Sequence, residues 1–256
     1  MIVDIKKAKQ ALKKYVEKYN PEDKKIKMKI EHIERVSQIA KQIATEQNLS
    51  EEDIELAELI GLLHDIGRFE QIRIYHTFKD KDSINHGEYG AKILFEEGLI
   101  REFIDTDKYD EIIKLAIINH NKIKIEENLT EKQKLHAKII RDADKTDIFY
   151  LLITGDEKAI WESENMSDEI ITDEIFKEFI EDKYINYKKM KTSGDLLVAH
   201  FAYIYDLYFK TSFTIFKNEQ YVDRLYNRFK FTNKDTTEKI KIVYEKTKNY
   251  IEEKGW

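Results

Sequence analysis

The chain contains no cysteine, which excludes disulfides, thiolate zinc sites and cysteine nucleophiles and leaves any metal chemistry to histidine and carboxylate. It has little that breaks a helix, with one proline (Pro21) and eight glycines in 256 residues. The start, Met-Ile-Val-Asp-Ile-Lys-Lys, lacks the apolar run of a secretory signal, and no window approaches the roughly 18 apolar residues that span a bilayer. Even the most apolar stretch, Leu196 to Phe209, is interrupted by His200 and Asp206. A cytoplasmic chain without a membrane partner is therefore expected. Basic residues are not in excess, at 44 against 50 acidic ones and a net charge of −6. A duplex-DNA binder would need a concentrated basic face, so that partner is excluded, whereas a small anionic ligand is not.

What is present favours helix. Glu, Lys, Leu, Ile and Ala dominate long stretches, and apolar residues recur at steps of three and four in Ile33, Val36, Ala40, Ile43 and again in Ile54, Ala57, Ile60, Gly61. An all-α architecture follows. Ser50 with Glu51, Glu52 and Asp53 reads as an N-cap with acids in the first turn, and Gly67 is placed to stop that helix just after His64-Asp65. Further helices are predicted from near Ser83 to Gly98, along Ile113, Ile117 and His120, and, after a loop at 121–128, along Leu135, Ile139 and Asp142. The polar, weakly periodic stretch from Gly155 to Asp173 reads as a connection or flap. The chain thus divides into a helical core over 1–155 and a C-terminal helical extension over 156–256, expected to form one structural unit. The sequence says nothing of oligomeric state.

Six potential metal ligands lie on or beside these apolar faces: His32, His64, Asp65, His86, His120 and Asp142. A lone histidine on such a face is ordinarily a hydrogen-bonded core residue. The adjacent His64-Asp65 is different, because both side chains can turn to one point only where the backbone is adapted for it, and a divalent cation offsets the cost of burying the carboxylate. Asp142, between Ile139-Ile140 and the apolar run from Ile148, poses the same problem, unless it is paired with Arg141 or Lys145. Asp144, two positions on, points to another helix face and suits a supporting hydrogen bond better than ligation. Mixed imidazole and carboxylate donors suit Mn, Fe, Co, Ni or Zn and disfavour Mg.

His32, then Leu-Leu-His64-Asp65-Ile-Gly-Arg-Phe, then Arg-Asp142-Ala-Asp144-Lys, together spanning about residues 26 to 150, resemble the H…HD…D signature of the HD superfamily of metal-dependent phosphohydrolases. The resemblance implies a helical bundle of HD type in which His32, His64, Asp65 and Asp142 hold a first divalent metal. His86, in Asn-His-Gly-Glu-Tyr-Gly, and His120, in Ile-Asn-His-Asn, match the extra histidines of binuclear members, with Asp65 bridging two ions. It also implies a small phosphorylated substrate, such as a nucleotide. The Gly-Tyr-Pro segment of cyclic dinucleotide hydrolases and the extended His-Asp-x-x-Glu-Asp pattern of alarmone hydrolases are both missing.

Arg68 lies one turn beyond His64 and Lys145 one turn beyond Asp142, so both can reach a metal-held phosphate; the alternative for each is a surface ion pair. Leu196, His200, Tyr203 and Leu207 form an aromatic-rich helical stripe that packs as core, or offers His200 and Tyr203 to a base in the substrate pocket. No serine elbow of the Gly-x-Ser-x-Gly kind occurs, which fits hydrolysis by a metal-activated water. Two rivals stand beside a phosphohydrolase with Asp65, Arg68 and Lys145 in its catalytic apparatus. One is an HD-type di-iron oxygenase using four histidines and two aspartates, and the other is a nucleotide-binding sensor without catalysis.

Overall fold

The computed structural model describes residues 3–161, 163, 165–181 and 183–254, except the side chain of Ala159, and among them there is no strand. No helix is long and apolar enough to cross a membrane among the described residues. The chain divides into two compact units, Met1–Asp147 and Ile148–Trp256.

The first unit begins with α1 (Ile5–Val16), capped by Asp4, and α2 (Lys24–Glu46), capped by Asp23. Next comes α3 (Glu51–Leu63), whose cap Ser50 accepts a hydrogen bond from the Asp53 amide as the sequence predicts. α2 and α3 touch backbone to backbone. A Cβ on Gly61 would stand 2.7 Å from Ser37 Cα, and the Ser37 hydroxyl donates to the Glu58 carbonyl at 2.8 Å. This approach sets His32 of α2 beside His64, the residue that ends α3.

α4 (Ile66–Tyr75) starts at once after Asp65, and α5 (His86–Ala91) packs across it, capped by the Asn85 side chain and running on as a π-turn over Lys92–Glu96. Gly67, expected to stop a helix, instead lies in the first turn of α4. Its role is contact: an added Cβ would meet the His86 carbonyl at 2.4 Å and the Gly90 amide at 2.7 Å, both backbone atoms. Gly67→Ala must push α4 and α5 apart, and overpacking of this kind destabilises by about 1–3 kcal/mol. A lowered melting temperature together with weakened metal binding is the expected result, because His86 would move with α5.

α6 (Asp110–His120) and α7 (Glu131–Thr154) complete the unit, joined by the predicted loop. The division falls inside α7, at 147/148, because Phe149 and Leu152 belong to the core of the second unit. That core is aromatic. Phe149, Phe201, Phe216 and Tyr221 form edge and stacked ring contacts, enclosed by α8 (Glu157–Trp161), α9 (Asp173–Glu181), α10 (Ser193–Ala202), α11 (Lys210–Asn218), α12 (Tyr221–Arg228) and α13 (Lys234–Lys254). The stretch expected as a flap carries α8 and a 3₁₀ turn at Met166–Asp168, and it is anchored by buried Trp161, Met166 and Ile171. Residues 162 and 164 of that stretch lie outside the described residues.

Candidate metal centre

His64 and Asp65 face the same point because the chain leaves the helix between them. His64 keeps helical angles at the end of α3, Asp65 turns to φ −103° and ψ 16°, and α4 starts afresh. At this break the Asp65 carboxylate lies among four imidazoles. Its Oδ2 stands 3.5 Å from His32 Nε2 and 3.6 Å from His64 Nε2, while its Oδ1 stands 3.4 Å from His86 Nε2 and 3.7 Å from His120 Nε2. One oxygen therefore serves each pair of rings. All four rings and Asp65 are buried.

Every one of these histidines has an acceptor behind it. His32 Nδ1 donates to Asp147 Oδ2 at 2.6 Å, and His86 Nδ1 donates to Asp80 Oδ2 at 2.6 Å. His64 Nδ1 donates to the Gly61 carbonyl at 2.8 Å and His120 Nδ1 to the Ile117 carbonyl at 2.6 Å, in both cases three residues back at a helix end where carbonyls lack intrahelical partners. These hydrogen bonds put the proton on Nδ1 and aim the Nε2 lone pair inward, the tautomer a metal ligand needs. The inward atoms are otherwise poorly served. His32 Nε2 and His64 Nε2 are buried without a hydrogen bond, and His86 Nε2 faces His120 Nε2 at 3.0 Å.

The carboxylate that joins His32 and His64 belongs to Asp144, not Asp142. Asp144 Oδ1 lies 3.1 Å from His32 Nε2 and 3.5 Å from His64 Nε2. Residues two positions apart on an α-helix lie roughly 200° apart around it, so Asp142 and Asp144 leave α7 on different faces. His32, His64 and Asp144 form one group able to hold an ion, and His64, Asp65 and His120 another, among the described residues. Asp144→Ala is expected to lose the ion of the His32 and His64 pair, whereas Asp142→Asn should retain it; metal content of the two purified variants checks this.

The electrostatics favour a cation. Burial and the Lys29 ammonium press the His32 pKa down, but Asp144 and Asp147 outweigh them and leave it raised. Burial pushes His64 down and His86 down to about 3, the latter helped by Arg68. Burial opposes ionisation of Asp65 and Asp144, yet both stay well below the usual carboxylate range, Asp65 through Lys29 and His64, and Asp144 through His32 and His64.

Several of these partners have no signal in the sequence analysis. Lys29, one turn before His32 and buried, donates to Asp65 Oδ2 at 2.5 Å. Arg35, one turn after His32, clasps Asp147. Arg68 is not paired with Glu70, which accepts from Arg73 and Tyr19. Arg68 Nη1 donates instead to Gln71 Oε1, the Phe78 carbonyl and Asp80 Oδ1, and its Nε lies 3.6 Å from Asp65 Oδ1. Lys145 is buried on α7 next to Asp144. His200 and Tyr203 belong to the second unit, where their rings meet edge-on at 5.2 Å and His200 meets Trp161 at 5.5 Å.

Residues 30–148 match the family model of the HD domain, that of the HD metal-dependent phosphohydrolase superfamily. These residues, rather less than half of the chain, are similar to an HD domain. The all-α fold and inward-facing histidines and aspartates agree with this family, whose members bind divalent metals. No curated protein and no solved structure matches the chain.

Proposed function

We propose that this protein is a metal-dependent phosphohydrolase that cleaves the phosphate ester of a nucleotide or another small phosphorylated metabolite with a metal-activated water. The reading rests on one observation: a buried carboxylate, Asp65, presents one oxygen to His32 and His64 and the other to His86 and His120, with all four Nε2 atoms turned inward. His32, His64, Asp65 and Asp144 would hold a first divalent ion, and Asp65, His86 and His120 a second. Mn, Fe, Co, Ni and Zn suit these donors better than Mg. Such ions supply Lewis acidity toward a phosphoryl oxygen and bring water's pKa toward neutrality.

The chain's own groups do the rest. Arg68 and Lys29 flank Asp65 from either side and place positive charge where an anionic ester would sit. We assign the substrate phosphate to Arg68, with Lys145 as a further cation. Nδ1 protons held by Asp147, Gly61, Asp80 and Ile117 keep the imidazoles oriented while charge develops on the phosphoryl group. Elemental analysis, then a phosphate-release screen over nucleotides and sugar phosphates with Mn, Co, Ni and Mg, tests the reading. Phosphate release that depends on added metal and disappears in Asp65→Ala is expected. No release from any substrate by metal-loaded protein would count against it.

The same gathering of four histidines with Asp65 and Asp144 also favours a second reading, a di-iron oxygenase. O₂ consumption by the iron-loaded protein without phosphate release would establish it.

A further inference from the structure

Asp80 lies outside the six residues the sequence singles out, in a 3₁₀ turn (Asp80–Asp82) between α4 and α5. Four side chains converge on its carboxylate. His86 Nδ1 donates at 2.6 Å, Arg68 Nη1 and Gln71 Nε2 each at 2.9 Å, and Asn121 Nδ2 at 3.1 Å. These donors come from α4, from α5 and from the residue after His120. We propose that Asp80 is a positioning residue that joins the second metal half-site to phosphate recognition, so that the His86 and His120 ion and the Arg68 guanidinium are set by one carboxylate.

The inference rests on the hydrolase reading above. Its physical basis is the asymmetry of the supports. In each half of the centre one imidazole is backed by a carboxylate and the other by a backbone carbonyl: Asp147 backs His32, and Asp80 backs His86. A carboxylate accepts only, so it fixes the Nδ1–H tautomer and makes Nε2 a better donor to a cation. Asp147 is held by Arg35, whereas Asp80 is held by Arg68, which reaches toward Asp65 Oδ1. The first half-site is therefore supported independently of Arg68, and the second is not. Replacing Asp80 by Asn leaves one acceptor oxygen; with Arg68 and Gln71 donating to it at the Oδ1 position, the amide N–H takes the Oδ2 position against His86 Nδ1 and favours the tautomer with its proton on Nε2, facing His120, where an ion cannot bind. It also removes the charge that holds Arg68 Nη1.

The test is Mn(II) titration of purified wild type, Asp80→Asn, Asp80→Glu and Arg68→Ala, with electron paramagnetic resonance to detect a coupled ion pair and calorimetric binding of inorganic phosphate to the Mn-loaded proteins. We expect two ions and a coupled signal in wild type and one ion with no coupling in Asp80→Asn. Arg68→Ala should still bind two ions, the second more weakly than in wild type, with at least tenfold weaker phosphate binding, and phosphate should weaken equally in Asp80→Asn. Asp80→Glu should recover part of both properties, which a merely structural loss would not. If Asp80→Asn does not fold, Asn121→Ala, which strips one donor from the same carboxylate, should weaken the second ion by about tenfold and spare the first. Two ions and normal phosphate binding in Asp80→Asn would overturn the inference and leave the hydrolase reading intact. A single ion in wild type would overturn it and leave a mononuclear hydrolase. No ion in wild type would overturn both.

Discussion

Asp65→Ala is expected to empty the whole centre, leaving less than about a tenth of the wild-type metal, while His64→Ala empties the half it shares with His32 and Asp144. The difference follows from geometry. Asp65 places Oδ2 on the His32 and His64 side and Oδ1 on the His86 and His120 side, so its removal deprives both halves of a shared anionic donor. His64 contributes one Nε2 and stands 3.5 Å from Asp144 Oδ1, on one side only. Asp65→Ala has a second consequence, because it leaves the buried Lys29 ammonium without the carboxylate oxygen it holds at 2.5 Å. Orphaning one member of a buried pair destabilises by about 3–5 kcal/mol. The variant should therefore melt well below wild type, and His64→Ala should not share that loss. Elemental analysis and melting curves of both variants in parallel check the pair of expectations. Undiminished metal in both would show that the ions bind elsewhere.

On the hydrolase reading, His86→Ala and His120→Ala complement these, since each should retain about one ion per chain while turnover falls steeply, the half-site that these rings would form with Asp65 being lost. Full activity in either would point to a mononuclear enzyme.

Much of this centre is legible in the sequence because its residues sit at helix ends or on strongly patterned helices. Ser50 marks the start of α3, and the His64-Asp65 pair marks its end, where an adjacent imidazole and carboxylate need a backbone break to converge. The choice between Asp142 and Asp144 is not legible, and α7 shows why. Ile139, Ile140, Arg141, Asp142, Ala143, Lys145, Thr146 and Asp147 are all buried, so no apolar stripe distinguishes an inward face from an outward one. Asp144, the partly exposed member of the run, is the one that meets the rings, its side chain 14% accessible. Asp80 is hidden for another reason. It lies in a turn between helices, where neither periodicity nor a capping pattern indicates its direction, and its partners come from 6 to 41 residues away. Gly67 was legible as a special position but not in its role, since a glycine required by a crossing helix and one that ends a helix look alike in sequence.

Arg68→Lys is expected to reduce kcat/KM by tenfold or more despite keeping its charge, and Arg68→Ala by at least as much. Arg68 is 15% accessible, and its Nη1 is committed to Gln71, Asp80 and the Phe78 carbonyl. Those bonds fix the plane of the guanidinium and leave Nε, buried without a hydrogen bond, directed near Asp65 Oδ1. A planar fork held in this way can offer parallel donors to phosphoryl oxygens, a geometry that the single ammonium of lysine cannot copy. Lysine would also forfeit the bonds that order the 76–80 turn, so Arg68→Lys should behave more like Arg68→Ala than like wild type. If the side chain only stitched that turn to α4, its loss would lower the melting temperature and leave kcat/KM unchanged at temperatures where the variant is folded. A tenfold loss corresponds to about 1.4 kcal/mol of transition-state stabilisation. Steady-state kinetics well below the melting point, with metal content measured on the same samples, separates the two: reduced kcat/KM at full metal occupancy assigns Arg68 to the substrate, and wild-type kcat/KM in both variants assigns it to the turn.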